Sequence, residues 1–147
     1  MKPFEKILIP TDGSDNAKAA VTQALTLAKL MDAEATALNV VDIGELYTRR
    51  GLRRADVDNY PLLEEEADAI VEQVRQEGER MGVAVKKLTR KGDPANEIVA
   101  ISKDYDLIIM GTLGRTGLSH FLVGSVAEKV VRFASCPVLV IRTHQNS

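Results

Sequence analysis

The amino-acid sequence predicts an α/β protein with a single doubly wound sheet of five parallel strands, ordered 3-2-1-4-5, and helices on both faces. Short apolar runs such as Ile7–Ile9 and Leu107–Met110 alternate with segments whose apolar residues recur at helical spacing. Turns containing Gly, Pro, Asp or Ser separate many of these segments. This alternation is typical of βαβ units with right-handed crossovers, which bury a parallel sheet between two helix layers.

Length and charge narrow the class of protein. The 147 residues predict one domain over 1–147. The 19 Lys and Arg residues nearly balance the 21 Asp and Glu residues, so no nucleic-acid partner is expected. No apolar run approaches the ~18 residues that span a bilayer, so no membrane partner is expected. The single cysteine, Cys136, excludes an internal disulfide and favours a cytoplasmic location. We expect it to be a small buried residue.

The first third of the chain predicts a βαβ unit. Phe4–Pro10 is the first strand, and Thr11–Ser14 is the turn that follows it. The next apolar residues keep helical spacing as far as Met31, and Ser14 is suited to cap this helix because its hydroxyl can accept from free N–H groups. Ala33–Val41 is the second strand.

The segment Asp42–Tyr60 has no clear periodicity and contains four arginines. It is long for a connection between strand and helix, which usually takes about 2–6 residues. Two interpretations stay open: a lid whose arginines reach phosphates or a partner, or a solvated loop.

The middle of the chain predicts two further helices and a strand. A helix begins at Pro61, carries a glutamate-rich outer face and ends at Gly82, which can serve as its C-terminal cap. Val83–Thr89 is the third strand. Asp93 and Pro94 are suited to the N-cap and first position of the next helix.

The last third predicts a strand at Leu107–Met110, a loop with glycines at 111, 114 and 117, and a helix whose buried side includes Val126, Val130 and Val131. Pro137–Ile141 closes the sheet as the fifth strand. The total is five strands and four helices.

The predicted strand order places two distinctive turns opposite each other. Ligands of open α/β sheets bind beyond the carboxyl ends of the strands, where the winding direction reverses. In the order 3-2-1-4-5 this point lies between the first and fourth strands. The segments Pro10–Ser14 and Gly111–Ser125 should therefore face one crevice.

The second of these segments predicts a phosphate site. A helix N-terminus offers unpaired N–H groups and a partial positive charge, and glycines let the backbone approach an anion closely. Ser125 can cap the last helix and also hold a phosphate oxygen. Arg115 either adds a charge-assisted contact or points into water.

The nucleoside of the ligand is expected to bind between Pro10–Ser14 and the end of the second strand. The Asp12 carboxylate either accepts hydrogen bonds from ribose hydroxyls or a base edge, or forms an Asx-turn. Val40 either offers an apolar wall to a base or belongs to the core.

Motifs for other nucleotide chemistry do not occur in the sequence. It has no G-x-x-x-x-G-K-[ST] loop, no G-x-G-x-x-G in its first turn and no Cys/His cluster typical of zinc sites. His120 has no evident nucleophile or orienting partner. We therefore predict no catalytic residue and no metal ligand in the chain.

The glycine spacing resembles the ATP-binding branch of the universal stress protein family, whose motif is G-x2-G-x9-G-[ST]. Gly111, Gly114, Gly124 and Ser125 reproduce that motif, and ILIPTDGS, NVVD and PVLVIR resemble the family's first strand and turn, second-strand end and closing strand. The resemblance implies a 3-2-1-4-5 sheet that binds ATP. The residues that it implies for the nucleotide site are Pro10, Thr11, Asp12, Val40, Met110, Gly111, Gly114, Gly124, Ser125 and Val126, to which we add Arg115.

The resemblance also implies a homodimer formed through the last strand, at Val138, Leu139, Val140 and Ile141. Such an apolar edge strand is a template for pairing with another chain. We expect an ATP-binding stress or signalling protein, with Mg²⁺ as an optional companion ion, whose nucleotide state biases dimer or partner contacts. The alternatives are a slow ATPase or autophosphorylating phosphotransferase, and an adaptor that binds no nucleotide.

Overall fold

Strands and helices alternate along the chain much as the hydrophobic pattern predicts. The computed structural model describes residues 4–49, 53, 61–112 and 124–142. The strands are β1 (Lys6–Pro10), β2 (Glu34–Asp42), β3 (Val85–Gly92), β4 (Leu107–Gly111) and β5 (Val138–Ile141). The helices are α1 (Asp15–Leu30), α2 (Ile43–Arg49), α3 (Pro61–Met81), α4 (Pro94–Ile101) and α5 (Ser125–Phe133), with a 3₁₀ turn at Ser102–Asp104.

The strands form one parallel sheet in the order β3-β2-β1-β4-β5, which confirms the predicted fold class and order. Alternate residues of β1 enter two separate cores: Ile7 and Ile9 pack on the α1 and α3 side, whereas Leu8 packs on the α4 and α5 side. All three side chains are almost fully buried. This is the pattern of a central strand covered on both faces.

Local signals at the ends of the helices form as predicted. The Ser14 hydroxyl accepts from the Ala17 N–H at 3.2 Å and so caps α1. The Asp93 carboxylate accepts from the Asn96 N–H at 2.9 Å and caps α4. Gly82 follows α3 at φ +81°, a conformation that favours glycine.

The prediction that Asp42–Tyr60 is a loop, either a lid or a solvated connection, was wrong for its first part. Residues 43–49 form α2, so the described chain contains five α-helices instead of four. Ile43 and Leu46, one helical turn apart, pack against Leu63 of α3. Seven residues are too few for a stable isolated helix, so α2 depends on this packing. Periodicity within the segment does not show that contact and therefore did not predict the helix. Most of the rest of the connection lies outside the described residues.

Two further predictions needed adjustment. β3 begins at Val85 and continues to Gly92, because it pairs with β2 along its full length, from Ala35 opposite Val85 to Asp42 opposite Gly92. Backbone pairing thus extends the strand into polar residues that carry no apolar pattern. Val131 of α5 is 53% exposed and does not belong to the buried side of that helix.

Asp106 joins β1 to β4 at the amino ends of the strands. Its carboxylate accepts from the backbone N–H groups of Lys6 and Glu5, both at 2.9 Å. These bonds, that from Lys6 first, lower the pKa of Asp106 because they stabilise the charged form. Cys136 is half-buried and packs against the core on the α4 and α5 side, and burial raises the pKa of its thiol.

No helix in the described part of the chain is both long enough and apolar enough to cross a membrane.

Candidate functional site

A cavity of about 230 Å³ lies at the carboxyl ends of β1, β2 and β4, at the point where the strand order reverses. Described residues of both segments that were predicted to lie opposite each other line it. The predicted residues found in its walls are Pro10, Thr11, Asp12, Val40, Met110, Gly111, Gly124, Ser125 and Val126. Gly114 and Arg115 lie outside the described residues, so what we expect of them stays a prediction.

The turn after β1 is held in place by buried hydrogen bonds. The Thr11 N–H donates to the Leu38 carbonyl at 2.8 Å, and the Asn39 side-chain amide donates to the Thr11 carbonyl at 2.9 Å. Both Thr11 and Asn39 are buried. Sequence reasoning did not single out Asn39, whose role depends on the pairing of β1 with β2. The turn is therefore positioned by the neighbouring strand.

Asp12 forms the Asx-turn that was one of its two predicted roles. Its Oδ1 accepts from the Ser14 N–H at 2.9 Å. Asp12 is nevertheless only half-buried and lines the cavity. A carboxylate has about four acceptor sites, so the turn does not exhaust its capacity to accept hydrogen bonds.

Gly13 gives the same turn its shape. Its φ of +77° lies in the left-handed region, and a Cβ there would lie 2.9 Å from Cγ1 of Ile70 in α3. The turn thus requires glycine both for its backbone conformation and for the close approach of α3.

Gly124 brings together the two ends of the segment 113–123. Its N–H donates to the Thr112 carbonyl at 2.7 Å, and a Cβ on Gly124 would lie 2.5 Å from that oxygen. The backbone of Gly124 is extended, with φ −68° and ψ 165°, which any residue can adopt. Glycine is needed here because of the close approach of the Thr112 carbonyl, not because of the dihedral angles.

Helix α5 presents its N-terminus to the cavity. Gly124 is its N-cap, so the predicted capping role of Ser125 was wrong: Ser125 is the first helical residue. The first bond within the helix runs from the Glu128 N–H to the Gly124 carbonyl. The N–H groups of Ser125, Val126 and Ala127 precede that bond and so have no acceptor within the helix. All three residues line the cavity.

An apolar wall from α2 and α3 closes the side of the cavity beyond β2. It consists of Leu46, Leu63, Ala67 and Ile70. Helical spacing predicts that Leu63, Ala67 and Ile70 share one face of α3, but it does not predict that this face borders a cavity. That depends on how α3 lies across the strand ends.

The charges around the cavity are unevenly distributed. Asp12, Asp42 and Glu66 line it, whereas its described lining includes no lysine or arginine. Such a lining accepts hydrogen bonds from hydroxyl and amino groups and leaves the N-terminus of α5 as the favourable place for an anion. Among the described residues, no cluster of three His, Cys, Asp or Glu side chains could hold a metal ion.

A comparison with protein families identifies this architecture. The model of the universal stress protein family matches residues 3–142. The chain belongs to the universal stress protein family.

Individual members of the universal stress protein family match over nearly the whole chain. Universal stress protein MJ0531 of Methanocaldococcus jannaschii is 43% identical, over 95% of this chain and 82% of its own length. The solved structure of MJ0577 from the same organism is 34% identical, with a TM-score of 0.83, over 97% of this chain and 99% of its own. The solved universal stress protein UspA of Lactobacillus plantarum is 33% identical, with a TM-score of 0.78, over 95% and 98% of the two chains.

Proposed function

We propose that the cavity binds an adenine nucleotide, with ATP as the ligand. The observation that carries this proposal is the arrangement of one crevice: carboxylates and an apolar wall at one end, and the N-terminus of α5 at the other. A nucleoside has hydroxyl and amino donors and a flat apolar base, while its phosphates are anions. The two ends of the cavity match the two ends of such a ligand.

The strand order supports the orientation of the nucleotide. The apolar wall follows β2 and the α5 N-terminus follows β4, with β1 between them. Neighbouring strands lie about 4.8 Å apart, so the two ends of the cavity are roughly 10 Å apart, which suits a nucleoside joined to phosphates. The base then lies toward Val40, the ribose near Asp12, Met110 and Gly111, and the phosphates near Gly124–Val126. Gly114 and Arg115 complete the phosphate end in this proposal.

Relatives with bound nucleotides agree with the proposal. A universal stress protein solved in complex with cAMP and one from Arabidopsis thaliana with AMP bound share this fold, at 21% and 20% identity. We propose that Mg²⁺ enters with the ATP, because magnesium is commonly bound through substrate phosphates and one or two carboxylates.

Calorimetry with ATP, ADP and AMP tests the proposal. We expect binding by the wild type and at least tenfold weaker binding by Asp12→Ala, since charged hydrogen bonds contribute about 1.5–3 kcal/mol. Asp15→Ala is the matched control: Asp15 is exposed in the first turn of α1 and does not line the cavity. Absence of binding by the wild type at millimolar nucleotide would refute the proposal.

We propose binding rather than rapid catalysis as the role of the site, with slow ATP hydrolysis or autophosphorylation as the second candidate. Of the residues that line the cavity, Asp12, Ser125 and the two threonines Thr11 and Thr112 are those that could supply chemistry. Phosphate release by the wild type and by Asp12→Ala distinguishes the two candidates. Equal background rates in both indicate a binding protein, whereas a wild-type rate that the substitution abolishes indicates an enzyme.

We also propose a homodimer formed through β5. The two edges of the sheet differ in charge. The edge strand β3 carries three lysines and one arginine, and all three lysines form ion pairs within the chain: Lys86, Lys87, Arg90 and Lys91 are the four residues. Charged edge strands resist pairing with another chain. The sequence of β5 is instead VLVI, and Leu139 is 40% exposed. The β5 edge is therefore the one suited to pairing.

Sedimentation measurements test the dimer. Leu139→Lys should convert a wild-type dimer to a monomer, because it introduces a charge into the proposed interface. Leu30→Lys is the control, since Leu30 is 77% exposed and belongs to α1 instead of β5. A wild-type monomer, or a Leu139→Lys dimer, would refute this interface.

We propose that the protein acts in the cytoplasm as a stress or signalling module, and that nucleotide binding shifts its dimer or partner contacts. β4 provides Met110 and Gly111 to the cavity and pairs directly with β5. The dimer dissociation constant, measured with and without ATP, tests this coupling. Equal constants would exclude it.

A further inference from the structure

A small hydrophobic cluster stands apart from the two main cores. We call it the α2–α3 cluster: buried Leu46 and Leu63, with half-buried Val41 and Ile43 packed against them. Leu46 is 6% exposed and Leu63 is 3% exposed. Neither belongs to the clusters that cover the two faces of the sheet. The cluster is therefore a separate packing unit.

Within the described residues, this cluster packs α2 against α3 and the end of β2. A helix of seven residues is not stable without tertiary contacts. Among the α2 side chains that the structure describes, only Leu46 is buried; Ile43 is half-buried and Tyr47 is exposed. We expect a short helix whose described side chains include one buried residue to open at a lower free energy than the core does.

The same two leucines face the cavity. Leu46 and Leu63 both line it, with Val41 and Asp42 at the end of β2 beside them. A ligand in that part of the cavity therefore contacts the residues that hold α2. Binding there adds apolar contacts to this cluster.

We infer that α2 closes over the nucleobase, an inference that rests on the proposed nucleotide site. Packing of α2 through Leu46 and Leu63 stabilises the bound nucleobase, and the bound nucleobase stabilises the packing of α2. The open state of α2 removes Leu46 from the wall and so binds the base less well. Because α2 follows β2, the coupling concerns the base and not the phosphates, which lie toward α5. A ligand that lacks the base does not stabilise α2.

Hydrogen exchange of the full-length wild type, with and without ATP, tests this inference directly. If the open state does not bind, exchange of the α2 amides slows by the factor 1 + [L]/Kd, which is about 100-fold at 100 times Kd. Inorganic tripolyphosphate is the probe without a base, and we expect it to leave α2 exchange unchanged. Unchanged α2 exchange at saturating ATP, or equal slowing by tripolyphosphate, would overturn the inference.

Substitutions give a second measurement. Leu46→Ala and Leu63→Ala should each weaken the binding of ATP, ADP and AMP. The factor should be the same for all three nucleotides, about tenfold, which corresponds to about 1.4 kcal/mol. Leu27→Ala is the matched control, because Leu27 is half-buried against the main core and does not line the cavity. Equal affinities of the wild type and both leucine variants would overturn the inference while the nucleotide site itself stands. A wild type that binds no nucleotide would overturn both.

Discussion

Gly124→Ala offers the sharpest test of how the site is built. The added Cβ would lie 2.5 Å from the Thr112 carbonyl oxygen, whereas an ordinary contact begins near 3.4 Å. The two backbones must therefore separate by about 0.9 Å. Because the N–H and the new Cβ lie in different directions from that oxygen, the shift lengthens the 2.7 Å bond from the Gly124 N–H by less than about 0.9 Å, and so weakens it. The same shift moves the start of α5 at the edge of the cavity.

Two effects are expected from this substitution. The close contact and the weakened hydrogen bond destabilise the fold by roughly 1–3 kcal/mol, since Thr112 is only 6% exposed and has little room to give way. Displacement of the Ser125 and Val126 N–H groups should weaken nucleotide binding by at least tenfold, because contacts to an anion depend steeply on geometry.

Urea unfolding and calorimetry with ATP measure the two effects of Gly124→Ala. Gly44→Ala is the control, because among the described residues its Cβ would meet only Asp42 Oδ1, at an ordinary contact distance of 3.4 Å. That substitution should leave stability unchanged or raise it, as alanine favours a helix more than glycine does. If Gly124→Ala keeps both the wild-type stability and the wild-type affinity, the close approach to Thr112 is not what the glycine provides.

Three further predictions concern other parts of the chain. The pKa of Asp106 is lowered in the folded state, so its carboxylate stabilises the fold. This contribution is fully present above the ordinary pKa, near 3.8, and is lost as the pH falls through the lower pKa of the folded state. The stability difference between wild type and Asp106→Asn, measured in urea, should be present at pH 7 and shrink below about pH 3.8; a difference independent of pH would contradict this. Ser102 is fully buried, and its hydroxyl accepts from the Ser135 N–H at 2.9 Å, so Ser102→Ala should cost about 1–3 kcal/mol in urea unfolding, with an unchanged midpoint contradicting this. Gly114→Val should abolish ATP binding in calorimetry while circular dichroism shows an intact fold; unchanged affinity would count against our placement of the loop.

The sequence by itself determined the fold and where in it the candidate site is expected. Alternation of strand and helix periods predicts a parallel sheet covered on both faces, because each element must bury its apolar side. Turn chemistry at Ser14, Asp93 and Gly82 predicts where helices begin and end, because those hydrogen bonds and dihedral angles are local. The position of the two loops at the switch point then follows from the strand order.

Tertiary structure decided the features that depend on contacts between distant segments. α2 forms because Leu46 meets Leu63, and β3 extends because β2 offers it a partner. Gly124 is required because the Thr112 carbonyl lies against it, a reason that the glycine motif does not reveal. The apolar wall of the cavity likewise depends on how α3 crosses the strand ends. Periodicity records which side of an element is apolar, whereas the neighbour that this side meets is set by the packing of the whole chain.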